Sequence, residues 1–144
     1  MFVVDTNILV YAAAKVFPKH GAAAAFLDEW RAARTPWFLT WGILYEFMRV
    51  TTHPRVLKEP WTCTEAYTFA AGLLASPSLT ILQETENHQD VLNNLFRRYP
   101  QVSGNRVHDA HIAALMVEHG IREIRTTDAD FRRFQQLIVV NPFE

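Results

Sequence analysis

Residues 1–10 read MFVVDTNILV. Phe2, Val3 and Val4 are aromatic or β-branched, which predicts a short buried strand. Asp5, Thr6 and Asn7 then cut the run, and apolar residues resume at Ile8. Two readings fit this interruption. Asp, Thr and Asn all cap helix N-termini, where a side-chain oxygen accepts from free backbone N–H groups. On that reading Asp5 only ends a strand and starts the helix NILVYAA. On the other, Asp5 stands at a functional site. Its partners elsewhere in the chain decide between them.

Working outward, strands and helices alternate along the whole length. PWFL (36–39), LTIL (79–82), EIRTT (123–127) and LIVV (137–140) read as further strands. Helices are predicted in PKHGAAAAFLDEWRAAR, in WGILYEFMRVTTH after a Thr40 cap, in TEAYTFAAGLLA and in ENHQDVLNNLFRRY. A further helix, RVHDAHIAALMVEHG, closes at Gly120, and DADFRRF reads as a short helical turn. His53-Pro54 and Ser76-Pro77 stop two of these helices, because a residue before proline is pushed out of the α region. Such alternation predicts an α/β fold with a parallel sheet covered by helices on both faces. In such sheets the ligand site lies beyond the carboxyl ends of the strands. Asp5 falls at the end of the first strand and Asp128 just past EIRTT, both on that edge.

The chain has 144 residues, enough for one domain with a sizeable core. It is 49% hydrophobic, and its formal net charge of −1 excludes a basic surface over the whole chain. Nucleic-acid binding must therefore use a local patch. The single cysteine, Cys63, excludes an internal disulfide and fits a reducing cytosol. No basic leader-like segment precedes the first strand and no apolar run is long enough for a membrane span, so a cytoplasmic protein is expected.

Two more carboxylates sit in apolar surroundings. Glu46 lies inside GILYEFMRV, with Ile43 and Val50 as helical neighbours; its alternative role is a surface pair with Arg49. Asp109 heads a face that continues through Ala113, Met116 and Gly120; its alternative is a first-turn acid favoured by the helix dipole. Four carboxylates brought into one cleft could not all stay ionised unaided. A hard divalent cation resolves this, because Mg²⁺ and Mn²⁺ prefer carboxylate and water oxygens. Acid-held metal suits phosphodiester hydrolysis. Asp5, Glu46, Asp109 and Asp128 are therefore the candidate metal ligands and catalytic residues, with Asp130 as rival to Asp128.

Other groups weigh less. His108 and His111 read better as solvent-facing histidines than as a metal site. Trp37, Phe38 and Trp41 read better as core than as a base-stacking surface. Arg106, one turn before Asp109, is the best candidate among the arginines for a phosphate contact.

VVDTNILVYA, GILYEFMRV, GNRVHDAHIAAL and TTDADF, in this order and spacing, resemble the PIN-domain family, and within it the VapC-type toxins of bacterial toxin–antitoxin pairs. The likeness runs nearly end to end and implies one PIN domain over residues 1–144. The implied fold is a three-layer α/β/α sandwich with a mostly parallel sheet of four to five strands. The implied activity is that of a Mg²⁺-dependent endoribonuclease, with Mn²⁺ able to substitute, acting on structured RNA such as tRNA or rRNA. The resemblance also implies a homodimer and a cognate VapB-like antitoxin. By the family's motifs the four acids are Asp5, Glu46, Asp109 and Asp128. Thr6, Asn7, Arg106 and Thr126 are expected to fix the site or touch substrate. Leu9, Val10, Tyr11, Leu44 and Phe47 are expected to line a groove for an antitoxin segment, which would send an Arg or Lys to Asp5 and Asp109.

Competing readings fare worse. A haloacid-dehalogenase-type phosphatase needs a second Asp where Asn7 stands. A phospho-receiver domain needs an Asp and Lys pair that these strand ends do not offer. A catalytically inactive PIN-like module that binds RNA or protein is the remaining alternative.

Overall fold

The apolar runs become five short strands. In the computed structural model, which describes residues 1–144, these are β1 (Phe2–Val4), β2 (Trp37–Thr40), β3 (Leu79–Leu82), β4 (Glu123–Arg125) and β5 (Ile138–Val140). All pair in parallel, in the order β3-β2-β1-β4-β5. Parallel neighbours need crossovers, and the helices supply them: α1 (Thr6–Ala13) and α2 (His20–Ala32), then α3 (Trp41–Thr51) and α4 (Cys63–Leu74), then α5 (His88–Arg98) and α6 (Arg106–Glu118). Right-handed crossovers place α1 to α4 on one face of the sheet and α5 and α6 on the other. The helix packing agrees, because α1 lies against α2 and α3, α3 against α4, and α5 against α6.

Local chemistry sets the element ends. Thr40 caps α3 by accepting from Ile43 N at 3.0 Å. Thr62 and Glu65 form a reciprocal capping box at α4. Gly120 follows α6 with φ +68°, a conformation that glycine adopts without a side-chain penalty. No helix is long and apolar enough to cross a membrane.

Strand order decides where a site can form. The chain leaves β1 toward β2 on one side and returns to β4 on the other. The order reverses at the β1–β4 boundary, and a crevice opens there at the carboxyl edge. Val4 pairs with Arg125, so the residues that follow β1 and β4 meet at that crevice.

The structure corrects the expected groove. Leu9, Leu44 and Phe47 are each 0% exposed and Val10 is 5% exposed, all within the main core. α1 packs on α3 and consumes these side chains internally, and only Tyr11 remains half-buried. Phe47 also stacks on Phe69 at 5.2 Å between ring centres. Phe47→Ala should therefore cost about 3–5 kcal/mol in urea unfolding. A groove-lining side chain would lose no more than roughly 0.5 kcal/mol.

Candidate functional site

Asp5 caps a helix, and its second oxygen is held from across the sheet edge. Its Oδ1 accepts from Thr6 N at 2.7 Å and so caps α1. Its Oδ2 accepts from Thr126 Oγ1 at 2.6 Å and from Asn7 Nδ2 at 2.8 Å. Asp5 is buried at 7% exposure. Burial pushes its carboxyl above the ordinary range, and Asp128 nearby pushes the same way. Thr126, Thr6 and Asn7 oppose that shift by donating to the charged form.

Thr126 and Asn7 form the clasp that carries this geometry. Thr126 Oγ1 donates to Asp5, and accepts from Asn7 Nδ2 and Asp128 N, each at 2.9 Å. That exhausts a hydroxyl's one proton and two lone pairs. Asn7 spends both amide hydrogens on Asp5 and Thr126, while its Oδ1 takes Thr127 N at 3.3 Å. Thr6 Oγ1 turns instead to the Ile43 carbonyl at 3.4 Å. Three of the residues expected near substrate are thus engaged in holding the cleft.

Asp109 lies in the first turn of α6 and is half-buried. Its carboxyl is pushed up to about 7, first by burial, then by the charges of Asp5, Asp128 and Asp130, with Arg106 opposing. Asp5, Asp109 and Asp128 thereby share one electrostatic environment, although they come from β1, α6 and the segment after β4. Asp128 Oδ1 caps the 3₁₀ turn Ala129–Arg133 by accepting from Asp130 N at 2.8 Å. Asp130 is neutralised from outside, by Arg106 at 3.0 Å and Arg133 at 3.6 Å.

Glu46 stands apart. It pairs with Arg49 through two contacts, at 2.6 and 2.9 Å, and its side chain is 41% exposed. The hydrogen bond from Arg49 holds its carboxyl below the usual range, against some burial, helped by the charges of Arg49 and His108. His108, one residue before Asp109, lies close enough to α3 for its charge to act on Glu46. Glu46 is not among the charges that raise Asp109.

One cluster goes beyond the sequence reading. His111 pairs with Glu84 at 2.7 Å, and His88 with Glu118 at 2.7 Å. The sequence signal, an i, i+4 spacing of Glu84 and His88, is faint because His111 comes from another helix. Among the aromatics, Trp37 is core, whereas Trp41 is exposed beside Tyr45.

A five-stranded parallel sheet with Asp5, Asp109 and Asp128 near its switch point defines an α/β protein with like charges acting on one another at the carboxyl edge. The PIN domain model matches residues 2–137, and the chain belongs to the PIN domain family. Ribonuclease VapC37 of Mycobacterium tuberculosis is 33% identical over 135 residues, covering 94% of this chain and 92% of that one. Ribonuclease VapC33 of the same species is 30% identical over 142 residues, covering 99% and 98%. Among solved structures, the sarcin-ricin-loop-cleaving toxin VapC20 of M. tuberculosis superposes with TM-score 0.67 at 20% identity, covering 93% of this chain and 95% of that one. VapBC2 of Rickettsia felis, bound to a promoter DNA fragment, gives 0.64 at 18% identity with 97% of each chain covered. These structural likenesses bear on the fold.

The raised carboxyl of Asp109 has a consequence for stability. The folded protein holds this proton more tightly than the unfolded chain does. In metal-free protein, stability from this group therefore falls as pH rises from about 4 to about 7 and is level above that. Asp109→Asn should melt a few degrees above wild type at pH 8, with the difference vanishing near pH 4. Thermal scans in EDTA across that range measure it.

Proposed function

We propose that this protein is a metal-dependent endoribonuclease, the toxin of a VapBC-type pair. The observation that carries this reading is the crowding of Asp109 by Asp5, Asp128 and Asp130 at the switch-point crevice. The donor set fits a divalent ion, because hard carboxylate oxygens whose repulsion is unrelieved suit Mg²⁺, with Mn²⁺ as substitute. Asp5 and Asp109 are the main ligands, and Asp128 is the third. When bound, the cation supplies Lewis acidity for water to attack a phosphodiester.

The chain's own groups do the rest. Asn7 and Thr126 hold Asp5 in one orientation and, with Thr6 N, leave one lone pair on Oδ1 for a cation. Asp128, which has no arginine partner, would orient the attacking water and take its proton. Asp130 anchors Arg106 at the mouth, where its guanidinium steadies the phosphate. Glu46 acts at the rim, and Arg49 must release it before it can reach the water. Products are a 5′-phosphate and a 3′-hydroxyl.

The substrate we infer is structured RNA, tRNA or rRNA, and the VapC relatives support that class. We infer a VapB-like antitoxin as the partner that covers the same site. An antitoxin arginine pairs well with crowded carboxylates. With the α1–α3 apolar residues buried, antitoxin docking relies on other surface than the expected groove. Homodimerisation and action in the cytoplasm complete the proposal. The inactive-module alternative leaves the convergence of three acids on one crevice without a use.

Asp5→Asn and Asp109→Asn should each lower RNA cleavage by at least about a hundredfold while circular dichroism stays native. EDTA should do the same to wild type, and Mg²⁺ should restore it. Glu46→Gln should leave measurable activity. Cleavage that persists in EDTA or in either aspartate variant contradicts the mechanism.

A further inference from the structure

Outside the acid crevice, Glu84, His88 and His111 each bring one ligand atom to within 4.8 Å of the others. They arrive from three places: the connection after β3, the start of α5 and the second turn of α6. The two imidazole rings meet edge to face, 5.6 Å between centres. Two imidazoles and one carboxylate are a poor set for Mg²⁺ and a good one for Zn²⁺, whose three-ligand sites keep a fourth position for water.

The surroundings add a second observation. Glu118, whose side chain is 0% exposed, accepts from His88 Nδ1 through Oε2 at 2.7 Å. Its Oε1 is held by Thr85 N at 3.0 Å and Thr85 Oγ1 at 2.8 Å. Burial pushes the Glu118 carboxyl up, but the bonds from His88 and Thr85 outweigh it and leave it below the usual range. Glu118 Oε2 engages His88 through Nδ1, which leaves Nε2 as the ring nitrogen without a protein partner. A carboxylate behind a histidine is the arrangement that orients and strengthens metal-bound imidazoles. At His111, Nε2 already faces Glu84 Oε1 at 2.7 Å. A cation taking the place of the shared proton at tetrahedral geometry would open that distance to about 3.3 Å. Glu84, with a side chain 52% exposed, is free to make that move.

We propose that Glu84, His88 and His111 form a second metal site, selective for Zn²⁺ over Mg²⁺, with Glu118 as the positioning residue for His88. Loading this site ties the β3–α5 connection to α6, the helix that presents Asp109. The site stands independently of the nuclease reading.

The test uses the full chain carrying Asp109→Asn, which weakens the acid crevice as a competing site. Zn²⁺ is titrated by calorimetry, Co²⁺ serves as the spectroscopic probe, and Mg²⁺ is the control. Expected are one equivalent of Zn²⁺, a raised melting temperature, and the intense visible absorption of four-coordinate Co²⁺. Glu84→Gln, at an exposed position, and His111→Gln should each weaken Zn²⁺ binding by at least about tenfold. Nitrogen NMR should show Nε2 of both His88 and His111 shifting with Zn²⁺ and not with Mg²⁺. No uptake of Zn²⁺, uptake unchanged in Glu84→Gln and His111→Gln, or histidine nitrogens that do not shift would each overturn the proposal.

Discussion

The hydrogen bond from Thr126 Oγ1 to Asp5 Oδ2 is 2.6 Å long and joins residues 121 apart in the chain. It closes the switch point of the sheet. β1 and β4 are neighbours only because the order reverses between them. Their registers bring Val4 beside Arg125, and Asp5 N donates to Arg125 O at 3.0 Å as the last backbone bond before the chains diverge. One residue further, side chains take over from backbone. Thr126, Asn7 and Asp5 form a closed set in which each hydroxyl and amide proton has a partner.

That clasp allows the fold to tolerate its own repulsion. An ionised carboxylate taken from water without compensation is strongly unfavourable. Asp5 receives three donors as compensation, whereas Asp109 has only the more distant charge of Arg106 to offset its neighbours. Asp109, without such donors, is therefore pushed up to about 7, first by burial and then by its like-charged neighbours. The two acids differ in kind: one is locked by hydrogen bonds, and the other has no side-chain donor. Asp130 shows the contrasting solution, an exposed acid neutralised by Arg106 and Arg133.

Much of this was legible in the residues because period and punctuation agree along the chain. The strand at Phe2–Val4, the stop at His53-Pro54 and the glycine at 120 each have a local physical cause, and the elements form where those causes place them. The capping role of Asp5 does not exclude another, since one oxygen caps α1 and the other faces Thr126. Glu46 was harder. In α3 the buried stripe runs through Ile43, Leu44, Phe47 and Thr51, which leaves Glu46 at its margin with Arg49 three residues on. Apolar content alone could not say whether Leu9 and Phe47 face a partner or another helix of the same chain. Tertiary packing chose the latter. The Glu84, His88 and His111 group joins three elements, with Glu84 and His111 separated by 27 positions, so no local spacing announces it.

We propose that the Asp109 carboxyl, raised in metal-free protein, is brought to ionise by a divalent cation. The most direct measurement is a carbon-13 carboxyl NMR titration of Asp109, with and without saturating Mg²⁺. The expected result is an apparent pKa near 7 in metal-free protein, falling well below that value with Mg²⁺ and falling likewise in Asp5→Asn. An Asp109 that titrates in the ordinary carboxylate range without metal, and does not respond to Mg²⁺, would contradict it.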